Sequence, residues 1–174
     1  MGLLLLNLFL FFGITLGTSE VYRVNELRSY FQKATKCPET GQAFHKLMAE
    51  YDGKEARILA FKAASEAVMA KYTWSPYGKM KHLKTAATIF DQAVKLDADD
   101  PEVRFLRYTI EYHIPRYLNM SNNMEEDRRI VLQSLFNYPK SGLDAEPGKI
   151  MREVLLKGDH LNEQEKTQLR TLKI

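Results

Sequence analysis

The segment from Leu83 to Leu106 constrains the fold more than any other part of the chain. Apolar residues at helical spacing fill its first half, and an acidic corner that ends in Pro101 separates them from a second helical pattern. A helix pair of this kind cannot bury its apolar face alone, so further helices must pack against it. The segment therefore predicts an all-α protein built from stacked antiparallel helical hairpins.

The remainder of the sequence has the same character. Apolar residues recur at intervals of three and four, and no segment alternates with a period of two. Helix breakers and capping residues divide this pattern into eight segments. The predicted helices cover residues 20–35, 40–51, 54–72, 76–96, 101–113, 123–138, 147–157 and 163–172.

Several helix starts are predicted from capping chemistry. A capping side chain followed three residues later by an acid indicates a capping box, and a capping residue directly before proline indicates a first helical turn. The first pattern occurs at Asp52, Asn123 and Asn162, and the second at Ser75 and Asp100.

The helix that follows Pro101 is predicted to be apolar on two sides. One stripe holds Val103, Leu106 and Ile110, a second holds Phe105, Tyr108 and Tyr112, and Arg104, Arg107 and Glu111 lie between them. Such a helix belongs inside a layered stack. Its two arginines have two interpretations: they line a concave groove that binds a carboxylate, or they form an internal ion network with the acids Glu125, Glu126 and Asp127.

The amino-terminal segment predicts export. Residues 3–16 are apolar apart from Asn7, too short to span a hydrocarbon core that needs about 20 helical residues but suited to a signal peptide. We therefore expect a signal peptide over 1–17, a single helical domain over 18–174, and no membrane span after cleavage. Because no Lys or Arg precedes the apolar run, an uncleaved anchor and a buried first helix are the alternatives.

Charge and cysteine content exclude other classes of protein. A formal net charge of +3 over 174 residues is too small for a nucleic-acid-binding surface. Cys37 is the only cysteine, so no intramolecular disulfide can form, and Cys37-Pro38 is predicted to mark a helix boundary.

No motif in the sequence indicates catalysis. The four histidines, His45, His82, His113 and His160, lack the helical spacing of a zinc site, and there is no glycine-rich phosphate loop or nucleophile elbow. The sequence therefore predicts no enzyme activity, no cofactor and no metal site.

A basic and aromatic segment, residues 71–84, is the first candidate for recognition. It holds Trp74, Tyr77, Lys79 and Lys81, and no acid occurs between Ala67 and Phe90. Aromatic rings beside cations are suited to bind an anionic partner. The alternative is that Trp74 and Tyr77 fill the space between the third and fourth helices while the lysines are solvated.

The fourth predicted helix resembles a known repeat. Ala86, Phe90 and Ala93, followed by Leu96 and the acidic corner, are similar to the second helix and exit turn of a tetratricopeptide repeat, whose aromatic position corresponds to Tyr77. The resemblance implies a short right-handed, tetratricopeptide-like solenoid or bundle. Residues 71–77, 103–107 and 123–127 also resemble small exported bacterial helical proteins without an assigned activity, which implies a periplasmic or outer-envelope location in a Gram-negative source.

These patterns together favour an exported helical-repeat protein that binds or scaffolds a protein or peptide, such as a component of an envelope assembly. The predicted binding residues are Trp74, Tyr77, Lys79, Lys81, Arg104, Arg107 and Glu111. The alternative is a helical bundle that binds a small ligand, or acts on one, in a pocket lined by Arg107, Glu111 and His113.

Overall fold

The computed structural model describes residues 22–174, and within them the fold is all-α, as predicted. Eight α-helices and one short 3-10 helix follow one another in this part of the chain, without a strand. They are α1 (Val24–Ala34), α2 (Pro38–Ala49), α3 (Ala56–Tyr72), α4 (Pro76–Leu96), α5 (Pro101–Tyr112), the 3-10 helix Arg116–Leu118, α6 (Met124–Phe136), α7 (Ala145–Lys157) and α8 (Glu163–Thr171).

The helix starts follow the predicted capping chemistry at three of five positions. Ser75 accepts a hydrogen bond from the Gly78 amide, Asp100 accepts from the amides of Glu102 and Val103, and Asn162 forms a complete capping box with Glu165. The other two expectations are wrong. Glu55 is the residue before α3, and the Asn123 side chain donates to Glu111 rather than capping α6.

Consecutive helices pack as pairs. The most extensive helix contact joins α3 to α4, which only the short connection 73–75 separates, and α1 with α2, α5 with α6, and α7 with α8 are also in contact. The odd-numbered helices α1, α3 and α5 contact one another in turn. This pairing gives a bundle of helical hairpins in which α3 has neighbours on several sides.

Two hydrophobic cores meet at α5. The first core lies among α1 to α5 and includes Val103 and Leu106, whereas the second lies among α5 to α8 and includes Phe105 and Tyr108. This division confirms the two predicted apolar stripes except at Tyr112, which is 37% exposed and does not join the second core. Because one helix contributes to both cores, the orientation of α5 determines how the two halves of the bundle pack.

The amino-terminal end of α5 is fixed by ion pairs to other helices. Arg28 of α1 donates from Nε and Nη2 to the two carboxylate oxygens of Glu102, at 2.6 Å each. Arg57 of α3 donates to Asp100 at 2.5 Å. Since both carboxylates are buried and lie at the positive end of the helix dipole, these contacts satisfy charges that the bundle excludes from water.

Two expectations concern the membrane: the absence of a membrane-spanning helix after cleavage, and the signal peptide itself. Among residues 22–174, no helix is both long enough and apolar enough to cross a bilayer. The predicted signal peptide, residues 1–17, lies outside the described residues, as do the first residues of the helix predicted over 20–35.

Replacement of the α8 capping residue tests the helix boundaries. Asn162→Ala removes the acceptor for the Glu165 amide, so we expect the free energy of unfolding to fall by about 1 kcal/mol. Asn122→Ala is the control, because the same side-chain change occurs at an exposed residue with no capping role, and its effect should stay within about 0.5 kcal/mol. Equal effects of the two substitutions in urea denaturation would contradict the capping assignment.

Candidate functional site

Two aromatic side chains of the basic and aromatic segment are exposed, one in the connection between α3 and α4 and one on the first turn of α4. Trp74 is 97% exposed and Tyr77 is 81% exposed. The interpretation that these rings fill the space between α3 and α4 is therefore wrong. Small side chains such as Ala86 allow the two helices to pack closely, so no space remains for an aromatic ring between them.

Local hydrogen bonds order this connection. Thr73 donates from its hydroxyl to the Met69 carbonyl oxygen at 2.8 Å, and Ser75 caps α4. Lys79 and Lys81 are exposed beside it on the first turns of α4. Lys71 is engaged, since its ammonium donates to the Thr35 carbonyl oxygen at 2.7 Å. The structure thus leaves Trp74, Tyr77, Lys79 and Lys81 exposed at or near the start of α4.

Arg104 and Arg107, the second pair of predicted binding residues, are buried. Both guanidinium groups donate to Asp127 of α6, Arg104 at 2.9 Å and Arg107 at 2.7 and 2.8 Å. Asp127 has no exposed surface. Of the two interpretations given to these arginines, the internal ion network is the one that the geometry supports, because their donors face Asp127 instead of an open groove. Glu126 also contacts Arg104, whereas the third expected acid, Glu125, pairs with Arg128 and is not part of the network.

Ion pairing and burial act in opposite directions on the network's charges. Burial favours the neutral form of Arg107, but its hydrogen bonds to Asp127 and the neighbouring carboxylates outweigh burial and raise its pKa. For Glu111 burial dominates and raises its pKa, although the Asn123 side-chain amide and backbone amide both donate to its carboxylate. Glu111 is therefore occupied in linking α5 to the start of α6.

An open cleft lies beside the carboxyl end of α5, with a volume of about 510 Å³. Glu111, Tyr112 and His160 line it together with the segment after the 3-10 helix. Arg107 and His113 do not line this cleft: Arg107 is held by Asp127, and His113 is exposed, with a ring nitrogen 2.7 Å from the Thr109 carbonyl oxygen. The pocket predicted from Arg107, Glu111 and His113 is thus not formed by these three side chains.

A cluster of two histidines and one glutamate was missed by the sequence reasoning. His45 of α2, Glu66 of α3 and His82 of α4 converge, with one potential metal-ligand atom from each within 4.8 Å of the others. His45 Nε2 lies 3.0 Å from one Glu66 oxygen, and His82 Nδ1 lies 2.6 Å from the other. We call these three residues the His–Glu–His cluster.

The cluster holds its carboxylate in the charged form. Burial tends to raise the pKa of Glu66, but the hydrogen bonds and electrostatic attraction of the two imidazole groups outweigh burial and lower it. Helical spacing could not reveal the cluster, because each residue lies on a different helix. The one available signal was that Glu66 is the single acid of α3, on a helix that is apolar on several sides.

Comparison of the chain with protein-family models, curated proteins and solved structures gives no match. Its function has to be inferred from the geometry of its own side chains.

Removal of the Asp127 charge tests the ion network. Asp127→Asn leaves two buried guanidinium groups with only the exposed carboxylates of Glu126 and Asp91 as charged partners, and we expect the free energy of unfolding to fall by about 3 to 5 kcal/mol. Glu126→Gln is the control on the same helix, because Glu126 is 57% exposed while it lies 3.3 Å from Arg104. Its effect should be about 1 kcal/mol or less. Similar losses for both variants in urea denaturation would show that burial of Asp127 is not decisive.

The pKa shift of Glu66 predicts a pH-dependent contribution to stability. Its folded pKa lies below the usual value of 4.5, so its stabilisation is present above that value and is lost as the pH falls through the folded pKa. Glu66→Gln should therefore lower the free energy of unfolding by about 1.5 to 3 kcal/mol at neutral pH. The difference from wild type should shrink below pH 4.5.

The control for this prediction is Glu153→Gln, a matched change at an exposed position of α7. Its effect should remain within about 0.5 kcal/mol at every pH. Denaturant unfolding measured from neutral to acidic pH compares the two variants, and a pH-independent loss for Glu66→Gln would contradict the predicted linkage.

Proposed function

We propose that this chain is an exported helical-repeat protein that binds an acidic protein or peptide partner through its basic and aromatic segment. The observation that carries the proposal is the exposure of Trp74, 97% open to solvent, beside Tyr77 at 81%. Tryptophan and tyrosine are the residues that most often anchor protein interfaces, because a rigid ring buries a large area at low entropy cost.

The order of the segment supports recognition. Hydrogen bonds at Thr73 and Ser75 hold the connection between two long, tightly packed helices. A partner that contacts Trp74 would therefore meet a preorganised surface, so association would cost less conformational entropy than binding to a flexible loop.

Charge supports an acidic partner. Lys79, Lys81 and Lys84 are exposed on α4, the helix that carries Tyr77, and the sequence has no acid between Ala67 and Phe90. Positive charge at the rim of an interface accelerates association with an acidic surface and selects against basic ones.

The arrangement of helices supports a repeat-like scaffold. Consecutive helices pair into hairpins, and α1, α3 and α5 contact one another in sequence. Alternate-helix contacts of this kind are what a short tetratricopeptide-like solenoid requires, since each hairpin buries its apolar face on the next. The buried Ala86, Phe90 and Ala93 of α4 agree with that repeat, whereas Leu96 and Tyr77 are exposed and depart from it.

Export and envelope location are part of the same proposal. They rest on the apolar residues 3–16, whose length suits a signal peptide. A scaffold in a periplasmic or outer-envelope assembly would place the Trp74 surface where a second envelope component can reach it.

Photo-crosslinking tests the partner surface directly. A photoreactive phenylalanine analogue at position 74 should give a discrete protein adduct in cells that make this chain naturally. The same analogue at Tyr117, which is 85% exposed on the 3-10 helix, is the matched control and should give little adduct. Lys79→Glu combined with Lys81→Glu should abolish the adduct at position 74, because it reverses the local charge.

Two outcomes would contradict this function. Adducts of equal yield at positions 74 and 117 would show that Trp74 has no specific role. A lipid adduct at position 74 in place of a protein adduct would assign the segment to an anionic membrane surface. Trp74 is the only tryptophan, so a shift of its fluorescence on addition of anionic vesicles, and none with an acidic peptide, would lead to the same conclusion.

A further inference from the structure

We propose that the His–Glu–His cluster is a binding site for a divalent transition-metal ion of the Zn²⁺ type, with one ligand each from His45, Glu66 and His82. The site lies where α2 and α4 flank α3. Of its ligands only His82 belongs to the basic and aromatic segment, and the existence of the site does not depend on the proposed function.

The first argument is convergence. The His45 Nε2 and His82 Nδ1 atoms face opposite oxygens of one carboxylate, and the two imidazole rings lie 5.7 Å apart at an interplanar angle of 89°. All three ligand atoms lie within 4.8 Å of one another. Tetrahedral zinc with bonds of about 2.0 to 2.1 Å requires ligand atoms about 3.3 Å apart, so the ligand atoms have to approach one another by at most about 1.5 Å.

The second argument is the chemistry of the ligands. Two imidazoles and one carboxylate match the three protein ligands of many zinc sites in which a water takes the fourth position. Nitrogen ligands favour Zn²⁺, Ni²⁺ and Cu²⁺ over Mg²⁺ and Ca²⁺, which bind through oxygen. The side chains of His45, Glu66 and His82 are 27%, 16% and 23% exposed, so one side of the site is open to an incoming ion and its water.

The third argument is that the Glu66 carboxylate is bonded to the two histidines and not to the nearby lysine of its own helix. Lys62, four residues earlier on α3, is the one cationic residue three or four positions from Glu66 along the helix. Its ammonium instead donates to the carbonyl oxygens of Tyr51 and Ala49, at 2.6 and 3.3 Å. The Glu66 carboxylate is therefore not neutralised by Lys62, and its partners are the histidines on α2 and α4.

Metal binding has a simple proton balance. In the metal-free cluster a ring N–H of each histidine donates to Glu66, so both nitrogens must lose that proton before they can bind a metal. For a neutral imidazole the proton moves to the other ring nitrogen, and for a charged one it is released to solvent. The metal ion then takes over neutralisation of the Glu66 carboxylate.

Calorimetric titration of the full chain with Zn²⁺ near neutral pH tests the proposal. We expect saturable binding of one ion per chain that excess Mg²⁺ does not displace. His45→Gln, Glu66→Gln and His82→Gln should each weaken the affinity by more than about tenfold, because loss of a direct ligand exceeds the effect of losing a supporting residue. Two controls should bind like the wild type: His113→Gln, an exposed histidine outside the cluster, and Cys37→Ser, which removes the single thiol.

A second measurement does not depend on the stability of the variants. In NMR spectra of the wild-type protein, the ring signals of His45 and His82 should shift with Zn²⁺ while those of His113 stay unchanged. The proposal is overturned if no saturable binding occurs, if the three cluster variants retain wild-type affinity, or if the His45 and His82 signals do not respond. Any of these results would leave the cluster as an ion-paired contact among three helices.

Discussion

The arrangement of this bundle depends on the ion pairs between the buried carboxylate of Asp127 and two arginines of α5. Asp127 has no exposed surface, and it accepts hydrogen bonds from both Arg104 and Arg107. Those arginines lie between the two apolar stripes of α5, so the ion network sits where the two hydrophobic cores meet. A buried charge without a partner is strongly unfavourable, and α6 can therefore occupy only the position that brings Asp127 to both guanidinium groups.

Helix α5 also forms ion pairs and hydrogen bonds to other helices through its remaining buried acids. Asp100 and Glu102 bind Arg57 and Arg28 at the start of α5, and Glu111 binds Asn123 near its end. Polar contacts thus fix the orientation of α5 around its axis, which hydrophobic packing alone does not specify well. This gives the bundle a defined geometry, and both candidate surfaces, the Trp74 connection and the His–Glu–His cluster, lie on the part built from α2 to α4 around α3.

The sequence left two interpretations open for two kinds of side chain, and the tertiary structure decided between them. The arginine stripe of α5 has the composition of a carboxylate-binding groove, yet its guanidinium groups are consumed by Asp127. Trp74 was expected either in a recognition surface or between the third and fourth helices, and the close packing of α3 on α4 leaves it in solvent. In each case the outcome depended on which helix lies opposite, and residue type and spacing carry no information about that.

The sequence by itself determined the helical class, most helix boundaries and the two apolar faces of α5. Those features depend on contacts within about four residues, such as the Ser75 and Asp100 caps and the periodic apolar residues. The tertiary structure alone decided the capping failures at Asp52 and Asn123, the burial of Arg104 and Arg107, and the meeting of His45, Glu66 and His82. These depend on the packing of separate helices, where side chains far apart in the chain compete for one partner.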